Sequence, residues 1–260
     1  MIYDVRPQKA DLIFGFSTWE LIILNIYYKY IFILFFSTIT GYSQSGFSNI
    51  SDDRFSDINH WTTSYPRHVL DGAENGFLKN ESPYKLIAGA SAIIILSNYD
   101  QDLKVRFLNK PFFSNDLSRQ ADNFGKTFGW GYFAGAGFIT LESIISKNNR
   151  AQYFSKMELM LESIAVTQAI TQTLKMTVKR ERPNQSDSHS FPSGHSSSVF
   201  ALATSLNSIY GWKVGMPAFV CASIVGAQRI SSSSHYLTDV ATGALIGYLV
   251  AEGFAQLHSK

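Results

Sequence analysis

Three short stretches of the chain each bring together residues able to bind an anion or move a proton: "LKMTVKRERP" (174–183), "HSFPSGHSSSVF" (189–200) and "AQRISSSSHYLTDVATG" (227–243). In the first, Lys175 and Arg182 stand seven apart, so a continuous helix would put both on one face, with Lys179 close by. In the second, Ser193, Gly194 and His195 precede an apolar run that starts at Val199. That is where a helix begins, and the free N–H groups of a helix start attract anions. In the third, His235 and Asp239 stand four apart, so a carboxylate can accept from the imidazole if the segment is helical. Each stretch alone has an ordinary structural meaning: a basic stripe at a helix C-terminus, a serine N-cap, and a surface pair at a helix start. Taken together they are harder to dismiss. Three cations (Lys175, Arg182, Arg229), two histidines and a carboxylate recur in a chain with only 16% charged residues. Three cations can hold the oxygens of a phosphoryl group. One histidine can attack phosphorus while the other protonates the leaving oxygen.

The same three stretches resemble the tripartite signature of the type 2 phosphatidic acid phosphatase and vanadium haloperoxidase superfamily. That signature reads Lys, six residues, Arg-Pro; then Pro-Ser-Gly-His; then Ser-Arg, five residues, His, three residues, Asp. Order and spacing agree from Lys175 to Asp239, except that Gln228 stands in the place of the serine. The resemblance implies that Lys175, Arg182 and Arg229 hold phosphate and that Ser193 and the Gly194 N–H complete its cradle. It implies His235 as nucleophile, Asp239 as its orienting carboxylate and His195 as general acid and then base. It implies a metal-independent phosphatase acting on phosphomonoesters, lipid phosphates included, through a phosphohistidine, with no cofactor and with vanadate as inhibitor. Two other readings use the same residues. A vanadium-dependent haloperoxidase would keep vanadate as its cofactor, and a non-catalytic envelope protein would bind an anion without turnover. No His/Cys cluster has zinc-site spacing in the sequence.

The elements that must position these residues read as helices. Apolar periodicity predicts helices over 85–97, 129–146, 157–182, 197–210, 215–228 and 238–257, with a shorter one capped by Ser114 or Asn115. The stripe Met157, Leu161, Ile164, Ala165 and a second stripe Ile170, Leu174, Val178 face different ways, as on a helix buried among others. No segment shows turn-flanked alternation. The expected fold is all-α, a compact bundle of about six helices with the site at helix ends. Residues 81–260 form the helical domain in this reading, and 45–80 a polar surface segment with room for one short helix.

Composition narrows the setting. A net charge of +2 is too small for nucleic-acid binding, and the lone Cys221 allows no internal disulfide. The low charge fraction points to membrane contact or to a largely buried helical core. Residues 1–44 contain Lys29, a short apolar run from Ile31 to Phe36, and then small and polar residues. That order fits an export signal, cleaved near residue 44, or an uncleaved anchor. Either sends the domain across a membrane, to the periplasm or to a membrane surface facing it. After it, the uncharged apolar runs are about 12 to 14 residues, shorter than the roughly 20 a bilayer core needs. Buried helices of a soluble bundle are therefore expected, with membrane contact at the surface, and a phosphorylated small molecule or lipid phosphate as partner.

Overall fold

The computed structural model describes residues 58–126 and 129–258, with side chains from residue 65 onward. The expected signal or anchor, residues 1–44, lies outside them. Among the described residues the fold is all-α, as expected, with no strand. The helices are α1 (Ile58–Phe77), α2 (Ser82–Leu96), α3 (Asp100–Asn109), α4 (Asn115–Gly125), α5 (Trp130–Ile145), α6 (Arg150–Val178), α7 (Gly194–Tyr210), α8 (Trp212–Ser231) and α9 (Leu237–His258). A 3-10 turn, Ser97–Tyr99, joins α2 to α3.

The six long helices read from the sequence are all present, and the short one is α4, capped by Ser114 accepting from the Leu117 N–H. Two boundaries of α6 differ from expectation. It starts seven residues early because Asn149 and Gln152 form a reciprocal capping box. It stops at Val178 because Lys179 takes a left-handed conformation at φ 50°. The helix therefore ends before Arg182, and the shared face proposed for Lys175 and Arg182 does not exist; Arg182 approaches the site from the following loop.

The segment 45–80, read as polar surface, contains the 20-residue α1. It lies directly on α9: a Cβ on Gly253 would fall 2.4 Å from the Gly76 nitrogen, so only glycine lets the two backbones meet. At the other end of α9, a Cβ on Gly243 would stand 2.5 Å from the Ser193 carbonyl. The "ATGALIG" run thus presses the first turns of α9 against the start of α7, which carries Pro-Ser-Gly-His. Further from the site, Lys156 of α6 is fully buried against Glu142 of α5 at 2.8 Å, and the Tyr210 hydroxyl of α7 donates to the same carboxylate at 3.0 Å. That pair locks the three helices at a depth where a charge needs a partner.

Among the described residues two helices, Trp212–Ser231 and Leu237–His258, are long and apolar enough to cross a membrane; 44% and 50% of their apolar stretches are buried in the body. The expectation of short spans counted only charge-free runs. These helices reach spanning length by including Arg229 and by including Asp239 or Glu252 near their ends.

Candidate active site

The loop between α6 and α7, the first turn of α7, and the turn from α8 to α9 meet at one end of the bundle. Their backbones are knitted together. The Ser190 N–H donates to the Arg180 carbonyl at 2.9 Å, the Asn184 N–H to the Ser233 carbonyl at 3.1 Å, and the Ser193 N–H to the Asp239 carbonyl at 2.9 Å. The chain thereby gathers all eight residues singled out in the sequence: Lys175, Arg182, Ser193, Gly194, His195, Arg229, His235 and Asp239.

Ser193 is the N-cap of α7, accepting from the Ser196 N–H at 3.4 Å and the Ser196 hydroxyl at 3.1 Å. The structural and chemical meanings of this serine coexist, because an N-cap also leaves the first N–H groups of the helix pointing outward. Gly194 faces Lys175: a Cβ there would meet Lys175 Cε at 3.8 Å, ordinary contact. An alanine would fit the backbone, so the glycine keeps room beside the lysine rather than relieving strain.

His235 is buried. Its Nδ1 lies 2.6 Å from the Ser190 carbonyl oxygen. A carbonyl only accepts, so Nδ1 carries the proton and Nε2 keeps its lone pair. That lone pair faces Arg182 Nη1 at 3.2 Å. The sequence predicted Asp239 as the acceptor for Nδ1–H. Instead Asp239 Oδ2 lies 3.8 Å from Nδ1, beyond a hydrogen bond. The reason is local. α9 begins at Leu237, so His235 sits outside the helix, and the stacking of i and i+4 does not apply. Asp239 Oδ2 accepts from the Tyr236 N–H at 2.9 Å and the Ser190 hydroxyl at 2.5 Å. It therefore fixes the Ser190 segment whose carbonyl holds the imidazole.

Three functional neighbours were not found from the sequence. Arg180 donates to Asp239 Oδ1 at 2.6 Å, Thr238 Oγ1 at 2.8 Å and Asp100 Oδ2 at 2.9 Å, with its guanidinium 3.9 Å from the Tyr236 ring centre. It stands between two basic residues already assigned to phosphate, and nothing in the spacing separates its role from theirs. Ser190 lies inside the motif stretch but had no assigned partner. Asp122, on α4, pairs with Arg229 Nη1 and lies 3.3 Å from His195 Nε2. It is over a hundred residues from Arg229, and no local pattern marks it. The one departure from the signature, Gln228, donates to Ser118 Oγ of α4 at 2.7 Å. Ser118 and Asp122 are one turn apart, so Gln228 and Arg229 clamp α8 to the same face of α4.

The electrostatics follow from these contacts. Burial, and then the charge of Arg182, take Lys175 down to about 8. Burial, together with the charges of Arg182, Lys175 and Arg229, outweighs the pull of Asp239 and takes His235 down to about 4. Burial and Arg229 hold His195 well below the usual histidine range, against the opposing pull of Asp122. A set of like charges this crowded suits a polyanion, and perturbed groups converging on one spot mark a functional site. The sign of the Lys175 shift makes a prediction. The lysine is charged below about 8 and neutral above it, so kcat/KM for a phosphate ester is expected to fall as pH rises through about 8. Lys175→Arg should move that limb to higher pH; a limb unmoved by the change would assign it elsewhere.

Residues 158–260, which include all three motifs, match the sequence model of the PAP2 superfamily, so the resemblance read from the motifs holds over that segment. A stretch of 81 residues is 36% identical to the lipid A 1-phosphatase of Porphyromonas gingivalis. It covers 30% of this chain and 18% of that protein's length. No solved structure matches the chain.

Proposed function

We propose that the chain is a phosphatase that hydrolyses phosphate esters through a phosphohistidine, and that its substrates are lipid phosphates. The observation that carries the mechanism is the His235 tautomer: Nδ1–H is held by the Ser190 carbonyl, which leaves Nε2 unprotonated, its lone pair turned toward Arg182 and the phosphate site. Nε2 gives its lone pair to phosphorus, the bond from phosphorus to the ester oxygen breaks, and His195 supplies the proton that this oxygen takes. Water then attacks phosphorus and gives its proton to His195. The P–N bond breaks, and its electron pair returns to Nε2. Lys175, Arg182, Arg229 and the first N–H groups of α7 stabilise the charge that builds on the equatorial oxygens. Burial and Arg229 both depress His195; the negative charge of a bound phosphate offsets the Arg229 part and favours the protonated form beside the leaving oxygen.

The lipid substrate class has two supports. The relative named above is a lipid A 1-phosphatase. In addition, large apolar side chains stand exposed on the elements that border the site: Ile94, Ile95, Val105, Leu108, Met176 and Val178. α3, which carries two of them, begins at Asp100, bonded to Arg180 and Thr238 at the rim of the site. Such a border suits a lipid surface, and export across the inner membrane would bring the site to the periplasmic face.

The test is a substrate panel in the presence of a chelator: phosphatidate, a prenyl diphosphate, lipid A phosphates and a soluble monoester. Hydrolysis of at least one lipid phosphate, preferred over the soluble ester and inhibited by vanadate, is expected. Activity lost to the chelator and regained only with added metal would contradict the mechanism. Bromide oxidation by the vanadate-loaded protein, without ester hydrolysis, would favour the haloperoxidase chemistry instead.

A further inference from the structure

We propose that His68, Glu162 and His258 form a second site, at the opposite end of the bundle, that holds a zinc ion. The three residues come from α1, α6 and α9, and their ligand atoms all lie within 4.8 Å of one another. Nε2 of His68 and Nε2 of His258 each lie 3.2 Å from the same oxygen, Glu162 Oε2. Ligands about 2.0–2.1 Å from a tetrahedral zinc are separated by ~3.3 Å, so two edges of the tetrahedron are already in place. The Glu162 side chain is 2% exposed and that of His258 is fully buried, while His68 is 26% exposed and leaves a way in from solvent.

Two further features favour a metal over a plain hydrogen-bonded cluster. The ion pairs of Glu162 among the described residues are both with histidines, and no lysine or arginine pairs with it. A buried carboxylate needs a positive charge beside it, and a zinc ion held by the two imidazoles would supply it. The Tyr65 hydroxyl, on α1, also hydrogen-bonds the Glu162 carboxylate and would hold it in place as a ligand. The remote nitrogen of His258 is also supported: Nδ1 lies 3.0 Å from Ser155 Oγ, the kind of outer contact that fixes a ligating imidazole.

The site is far from the phosphate. Asp239 and His258 are nineteen residues apart on α9, ~28 Å at 1.5 Å per residue. Zinc here staples α1 and α6 to the end of α9 and acts on stability, leaving turnover at the other end unchanged.

The experiment uses the full chain, stripped with a chelator, exchanged into zinc chloride, desalted and assayed for metal. About one zinc per chain is expected, together with a zinc-dependent rise in melting temperature. His68→Gln and Glu162→Gln keep the size and hydrogen-bonding capacity of the side chains and should lose both the zinc and the rise. Hydrolysis of a soluble ester by His68→Gln should stay at the wild-type rate, which separates this site from the phosphatase reading. No zinc in the wild type after exchange, or equal zinc in wild type and His68→Gln, would overturn the proposal.

Discussion

His235→Ala is expected to abolish ester hydrolysis, with a loss on the order of 10⁴-fold or more, and to abolish all covalent labelling by a phosphorylated substrate. The size of the effect follows from the role. If Nε2 forms the bond to phosphorus, no neighbouring group can replace it: Arg182 is a cation, and His195 sits across the site against Asp122. The variant should still fold. His235 lies outside the helices, and its removal leaves the Ser190 to Asp239 and Arg180 to Asp239 contacts in place. Phosphate should therefore still bind to Lys175, Arg182 and Arg229. Binding of inorganic phosphate or vanadate by the inactive variant separates a lost nucleophile from a lost fold.

The second large effect is expected at His195. Removing a general acid typically costs ~100-fold or more, about 2.7 kcal/mol in the barrier. His195→Ala should show that loss with an alkyl ester, whose leaving oxygen needs a proton. It should show much less with a nitrophenyl ester, whose leaving group departs as a stable anion. A loss equal for both leaving groups would remove the acid role. Asp122→Asn adds a contrast. Asp122 pulls the His195 proton affinity up while pairing with Arg229. Its loss should weaken the acid step and also free Arg229, so kcat for the alkyl ester falls while phosphate binding is kept or improved.

Much of this was legible in the sequence because helix periodicity and motif spacing are local. The stripes of 157–178 and the small-residue runs of 238–257 fixed the long helices, and the order of Lys175, Pro-Ser-Gly-His and His235 brought the site residues into one list. What escaped depends on contacts between distant segments or on the state of a single residue. Lys179 in a left-handed conformation ends α6 early and sends Arg182 into a loop; a lysine gives no such signal in advance. The His235 and Asp239 spacing suggested a direct bond, but the helix starts between them, and a backbone carbonyl from the preceding motif took the place of the carboxylate. Asp122 and the cluster of His68, Glu162 and His258 are assembled across α4, α1, α6 and α9, and no spacing rule reaches across such separations. The length of α1, 20 residues where at most a short helix was expected, was hidden by its polar composition and by Pro66 within it.

In the proposed mechanism His235 Nε2 becomes covalently bonded to phosphorus. The direct measurement is rapid mixing with substrate labelled in the phosphoryl group, a denaturing quench kept alkaline because a phosphoramidate hydrolyses in acid, and mapping of the labelled residue. Label is expected on His235, present in His195→Ala and absent from His235→Ala. Label on His195, or label that persists in His235→Ala, would contradict it.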